Sequence, residues 1–221
     1  MPTFHPRVED LPGEFPVFPL PGALVLPRGK LPLRIFEPRY LAMTEDSLSQ
    51  GRMFGMIQPD PTAAETNTGP GLFRVGCLGR ISSFAETDEG HFLITLTGLI
   101  RFAVQTELEI RRGYRRVRGD VSPYLTDLNL EPSAEEVPRE ALLSVLRNYF
   151  THRHIDANWD AIKRLPDDML VVTLSMVCPF EPAEKQALLE VPTEAERASA
   201  LLTLLQMGAL AQDLPGGRSV S

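Results

Sequence analysis

The sequence predicts an α+β protein: an N-terminal, partly closed β-barrel carrying one helix, followed by a C-terminal α-helical bundle. Three observations predict it. From Phe15 to Pro38 the apolar residues are crowded between prolines at 16, 19, 21, 27, 32 and 38, each of which removes a backbone donor and fixes φ, so the stretch forms short extended pieces rather than a helix. From Leu72 to Val104 the apolar residues alternate at the period of a strand, and from Ser133 onward they recur at the period of a helix.

The opening pieces end in Leu31, Leu33 and Ile35, which alternate with Pro32, Arg34 and Phe36; apolar residues on both sides suit a strand covered on both faces. Pro38 then fits the first position of a helix, where its missing N–H costs nothing. Good helix formers run on to Gln50 and stop at Gly51. Its packed side is expected to hold Tyr40, Leu41, Thr44 and Leu48, with Glu45, Asp46 and Gln50 outward.

Met53 to Gln58 reads as a further strand. Residues 59–71, PDPTAAETNTGPG, have nothing to bury and read as an exposed mobile loop. Phe92, Ile94 and Leu96 alternate with Leu93, Thr95 and Thr97, and Asp88-Glu89-Gly90 marks a hairpin turn. Gly76, Gly79 and Gly98 lie inside these strands, where glycine marks the bends and bulges that let a sheet curl. Two more strands, Val104 to Ile110 and Tyr114 to Val121, turn at Arg111-Arg112-Gly113.

A turn-rich linker, Pro123 to Pro132, separates a first subdomain, 14–124, from a second, 132–212; residues 1–13 and 213–221 are expected to be flexible ends. Ser133–Glu136 and Thr193–Glu196 are both capping-box patterns. Between them lie a short piece around Trp159 and Ile162, a helix from Pro166 and a helix from Pro182 to Glu190. All of these are assigned to the bundle.

A chain of 221 residues buries roughly 70% of its unfolded surface and needs no staples. Cys77 and Cys178 sit among apolar neighbours without CxxC spacing, the pattern of reduced buried thiols in a cytoplasmic protein. No signal peptide pattern opens the chain, and no apolar run is long enough to cross a membrane. The net charge is −7, and the acidic excess falls after residue 130, which disfavours a nucleic acid as that half's partner.

Catalytic motifs are missing. Gly22 and Gly29-Lys30 do not have P-loop spacing, and no GxSxG or HExxH occurs. Gly69-Pro70-Gly71 opens like a dinucleotide fingerprint, but Arg74 replaces its third glycine. His152, His154 and Asp156 sit at a helix end and read as solvated groups rather than a metal set. No cofactor is implied.

Arg34, Glu37, Arg39 and Tyr40 stand out, because charge set in an apolar stretch must pair, reach water or grip a ligand. They are the candidate binding residues, with a structural ion-pair clamp as the plainer reading. Six arginines between Arg101 and Arg118 offer an alternative, RNA contact through Arg111, Arg112, Arg115, Arg116 and Arg118. Those side chains do not share one strand face, so solvated edge charges explain them better.

The run FPLPGALVLPRGKLPLRIFEPRYLAM resembles the opening of the substrate-binding domain at the N-terminus of Lon-type ATP-dependent proteases, especially its free-standing bacterial relatives. GRMFGMIQP, VGCLGRISSFAETDEGHFLITLTGLIRFAV and PFEPAEKQALLEVPTEAERASALL follow in the same order. The resemblance implies a domain of PUA-like fold that helps select polypeptides. Without an ATPase or a Ser–Lys peptidase, this chain is expected to be a non-catalytic, adaptor-like binder of an unfolded polypeptide or a protein partner.

Overall fold

The computed structural model describes residues 6–129 and 137–210. Its residues group into two units, one holding the sheet and the segment Pro179–Leu189, the other holding the remaining helices. The first capping-box pattern, most of the linker's C-terminal end and the extreme ends of the chain lie outside the described residues.

Six strands build the first unit: β1 (Glu14–Pro19), β2 (Lys30–Ile35), β3 (Met53–Ile57), β4 (Val75–Glu86), β5 (Phe92–Arg111) and β6 (Tyr114–Asp120). The sheet is mixed, in the order β2-β5-β4-β3-β1-β6, with β1 and β3 parallel and the other pairs antiparallel. β5 also pairs with β6, so the hydrogen bonding runs in a closed circuit through β5, β4, β3, β1 and β6. Phe15, Val17, Met53, Ile57, Leu78, Ile100, Phe102 and Val117 fill the space inside. Phe15 and Phe102 meet edge to face at 4.8 Å, a favoured arrangement of two ring quadrupoles.

The apolar pattern predicts two strands over residues 92–110, divided at Val104, whereas β5 is one strand of 20 residues. Nothing in it needs to break. Leu99 and Gln105 are each taken up as an extra residue at a shift of register, against Leu78/Gly79 and against Gly119/Arg118. Such bulges bend a strand without ending it. Arg112 and Gly113 both have positive φ, 46° and 87°, the backbone that a tight hairpin between β5 and β6 requires.

Helix α1 (Pro38–Ser49) begins with proline as expected, and Tyr40 and Thr44 lie on its packed side as expected, but the two leucines assigned to that side are less buried than the small residues beside them. Tyr40, Ala42, Met43, Thr44 and Ser47 are buried, while Leu41 and Leu48 are half-buried. Thr44 and Ser47 donate to the carbonyls of Tyr40 and Met43 at 2.8 and 2.7 Å. Their hydroxyls are thereby satisfied within the helix, so burial carries little penalty.

The helix Pro182–Glu190, α5 in chain order, belongs mostly to the sheet unit rather than to the helical one. Polar groups place it there. The buried Gln58 amide donates to the Pro182 carbonyl (2.9 Å) and to Gln186 Oε1 (3.1 Å), and its own oxygen accepts from the Gly22 N–H (2.9 Å). Gln186 in turn donates to the Val75 carbonyl, and Lys185 donates to the Gly22 carbonyl. An apolar period reveals that a helix packs, not on which neighbour, and the bonds that Pro182, Lys185 and Gln186 make to the sheet unit join residues more than 100 positions apart.

Arg101 is the most deeply buried cation of this unit. It is 3% exposed, and its Nε and Nη2 donate to the two carboxylate oxygens of Asp127 at 2.9 and 2.8 Å. The Arg101 backbone N–H shares the same carboxylate, Nη1 reaches the Leu189 carbonyl, and the guanidinium lies 4.9 Å from the Tyr124 ring.

The second unit holds α2 (Arg139–His152), α3 (Trp159–Arg164), α4 (Asp167–Val177) and α6 (Glu194–Leu210). α6 packs on α2 and α4, burying Leu142, Leu146 and Tyr149 with Leu170, Leu174, Ala198, Leu201 and Leu205. Thr193 and Glu196 form the expected reciprocal cap at the start of α6, the threonine oxygen accepting from the Glu196 N–H and the glutamate from the Thr193 N–H. Arg139 ties α2 to Asp167 and to the Lys163 carbonyl.

Candidate functional site

The start of α1, the end of β1, the tip of the β5–β6 hairpin and the loop before β4 enclose a pocket of about 240 Å³. Pro19, Pro21, Pro59 and Pro70 wall it, with Gly69, Gly113 and Thr68, and Arg39, Tyr40 and Arg115 supply its polar groups. Prolines suit such a wall: they are rigid and carry no N–H that burial would leave unpaired.

Tyr40 is only 5% exposed. Its ring packs on Phe18 with centroids 4.0 Å apart, and the Arg39 guanidinium lies 4.6 Å over its other side. Burial pushes the phenol above its ordinary range, so it is a neutral donor at physiological pH. Among the described residues no group accepts from its hydroxyl. Arg39 turns Nε and Nη2 toward Glu37 Oε2, at 3.0 and 2.8 Å.

Arg115 is fixed from behind. Nε and Nη2 grip Glu107 at 3.1 and 2.6 Å, and Nη1 donates to the Pro70 carbonyl at 2.7 Å. The side chain is 8% exposed, so the paired fork acts as a rigid strut carrying the Thr68–Pro70 edge of the pocket. Thr68 adds a hydrogen bond to the same Glu107 at 2.9 Å.

Beneath the pocket a second cluster anchors α1 to the β5–β6 hairpin. The Tyr114 hydroxyl donates to Asp46 at 2.6 Å, and Arg112 bridges Asp46 and Glu45, both at 2.7 Å. Burial pushes the Asp46 carboxyl up, but Tyr114, Arg112 and Arg111 together outweigh it and hold the group below the ordinary carboxylate range. Burial, helped by Asp46, pushes Tyr114 up to about 12. A phenol raised in the folded state favours folding below its unfolded value near 10, and loses that contribution as pH climbs toward 12. Wild-type stability should therefore fall between about pH 10 and 12, by up to ~2 kcal/mol from this group. In Tyr114→Phe, urea denaturation across the same range should lack that component; an identical profile would refute it.

The structure splits the sequence candidates. Arg39, Tyr40 and Arg115 line one pocket, and Glu37 pairs with Arg39 beside it. Arg34 lies elsewhere, exposed and bonded to Glu89 (2.8 Å) and His91 (3.0 Å) of the β4–β5 hairpin. All six arginines from Arg101 to Arg118 are ion-paired: Arg101 to Asp127, Arg111 and Arg112 to Asp46, Arg115 to Glu107, Arg116 and Arg118 to Glu14. Nothing in the sequence assigned Pro19, Pro21, Pro59, Pro70 or Glu107 to a site. Nothing local marks them, since the 59–71 loop reaches Arg115 only through the fold. His152 ends α2, His154 follows with a φ of 53°, and among the described residues no three acidic, His or Cys side chains could hold a metal ion.

Residues 14–207 match the family described as the ATP-dependent protease La (LON) substrate-binding domain. The chain belongs to this family. Lon protease 2 of Myxococcus xanthus is 29% identical over 140 residues, which is 61% of this chain and 15% of that protein. Protein cereblon of Danio rerio is 29% identical over 131 residues, 56% of this chain and 29% of cereblon. The chain thus spans a minor part of the curated relatives it matches, and the similarity to Lon proteases lies with their substrate-binding region. Solved structures show the same Lon N-terminal domain fold. A Lon N-terminal domain protein from Xanthomonas campestris superposes with a TM-score of 0.57 at 23% identity, covering 86% of this chain and 97% of that one. The N-terminal domain of Mycobacterium avium complex Lon protease gives 0.58 at 16% identity, with 87% and 97% covered. Among the described residues of this Lon-domain chain, no helix is long and apolar enough to cross a membrane.

Proposed function

We propose that this chain is a non-catalytic polypeptide-binding module, adaptor-like in protein quality control, which takes an extended segment of an unfolded chain. The family match over residues 14–207 carries the reading. The closed strand circuit, read as a small PUA-like barrel, provides the rigid platform. Two features of the sheet unit support peptide binding.

β2 pairs with β5 alone and ends the sheet, so its outer backbone groups are available for strand addition. Pro32 lies in that strand and shortens the ladder a guest strand could form. Beside it, Phe36 and Leu93 are 59% and 46% exposed; such apolar side chains favour contact with a partner. Ion pairing of all five candidate arginines weighs against the RNA alternative, which needs cations free for phosphate.

Fluorescence anisotropy with a labelled, reduced and carboxymethylated polypeptide tests the reading. Saturable binding with Kd below ~100 μM is expected, weakened several-fold in the Phe36→Ser, Leu93→Ser double variant. Absence of saturable binding by the wild-type chain rejects the module, and retention of RNA with a steep salt dependence would put the alternative in its place.

A further inference from the structure

The pocket around Tyr40 has features that a general apolar surface does not need. Its accessible volume of about 240 Å³ falls below the roughly 300–1,000 Å³ of sites for drug-sized molecules, and matches about one amino-acid residue. Its walls are largely apolar, from four prolines and a tyrosine ring, and two side-chain donors beside them, the Tyr40 hydroxyl and Arg39 Nη1, are not spent on a described acceptor. Tyr40 as a residue is 5% exposed, yet its hydroxyl keeps contact with solvent and donates to no described residue. Arg39 spends Nε and Nη2 on Glu37, which leaves Nη1 unspent on a guanidinium whose carbon lies 4.6 Å from the same ring. The nearby carboxylates, Glu37 and Glu107, are already engaged by Arg39 and Arg115.

Donors above an apolar cradle of one-residue size call for an apolar group that carries acceptors and negative charge. A chain terminus meets that demand within a single residue, because its side chain and its carboxylate leave the same Cα. An internal residue would have to thread the chain in and out of the same space.

We propose that this pocket captures the C-terminal residue of a client polypeptide, its apolar side chain lying against Pro19, Pro21, Pro59 and Pro70 and its carboxylate accepting from Tyr40 and Arg39. Arg115 is the positioning residue: with its fork on Glu107 and Nη1 on the Pro70 carbonyl, it sets the wall the side chain meets. The inference rests on the polypeptide-binding reading, and it adds a separate surface and a chemical rule for the client, a free apolar C-terminus. Terminal carboxylates are recognised elsewhere by convergent donors of this kind.

The test uses a labelled flexible peptide of about a dozen residues ending in leucine, made as the free acid and as the C-terminal amide, together with an amidated peptide carrying one internal glutamate. The full chain should bind the free acid at least tenfold more tightly than either amidated peptide, a difference of about 1.4 kcal/mol. Tyr40→Phe keeps the ring on Phe18 and removes only the hydroxyl, and Arg39→Ala changes a half-exposed side chain; both should reduce that ratio by threefold or more without altering the melting curve. Equal binding of acid and amide overturns the pocket while leaving polypeptide binding intact, and so does an acid–amide ratio unchanged in both variants. The internal-glutamate peptide binding as well as the free acid overturns terminal recognition. Binding of carboxymethylated polypeptide with none of the short free acid overturns the pocket alone; failure of both overturns this inference and the module reading together.

Discussion

Asp127→Ala should lower the thermal midpoint by on the order of 10 °C, from a loss of roughly 3–5 kcal/mol. The reason is the guanidinium left behind. Arg101 is 3% exposed and Asp127 nearly as buried, with three hydrogen bonds between them. Without the carboxylate, the Leu189 carbonyl and the Tyr124 ring are among the contacts that remain, and neither of these two carries a full countercharge. Removing one partner of such a pair costs far more than removing both, so Arg101→Met combined with Asp127→Ala should recover part of the loss. Calorimetry of the two variants decides it: a double variant no more stable than Asp127→Ala alone would mean that the buried charge is not the cause.

Gly98→Ala should cost about 3 kcal/mol, the upper end of overpacking effects, because the obstacle is main chain. A Cβ built on Gly98 would lie 2.1 Å from the Leu26 carbonyl oxygen and 2.7 Å from its carbon. The contact is tight because the loop after β1 is stitched to this bulge: the Gly98 N–H donates to the Gly29 carbonyl at 2.8 Å and its carbonyl accepts from the Arg28 N–H at 2.9 Å. No rotamer change relieves such a clash. The loop must lift, breaking both bonds. Gly13→Ala, where a Cβ meets nothing within 4 Å, is the matched control and should change urea stability by a few tenths of a kcal/mol at most. Comparable losses at the two positions would show that crowding at Leu26 is not what selects glycine.

Gly98 also shows how far the sequence could be read. A glycine inside an alternating strand announces a bulge or a close approach, and both occur there. Which backbone approaches is another matter, since Leu26 lies some seventy positions upstream and nothing in either segment names the other. Pro38 and Gly51 framed α1 for the same local reason, proline pre-set for a first turn and glycine able to take a φ of 84°. The packed side of α1 was legible at Tyr40 and Thr44 but not at Ser47, whose hydroxyl bonds back to the Met43 carbonyl and so can be buried. α5 was assigned to the wrong neighbours because its attachment rests on Gln58, Gln186 and Lys185, side chains whose usual place is the surface.

The same division runs through the candidate site. Arg39 and Tyr40 were visible, since a cation and a phenol in an apolar run demand a partner. Arg115 was visible only as one arginine among six, the prolines only as breaks between strands or in turns, and nothing marked Glu107 or any of the four prolines as part of a site. By itself the sequence determined the element types and their order, the family likeness and the absence from this stretch of familiar catalytic motifs, because proline, glycine and hydrophobic period act over a few residues. The tertiary structure alone decided which arginines are spent on ion pairs and which side chains line one pocket, because a side chain's charge and hydrogen bonds are allotted by neighbours that only folding brings within reach.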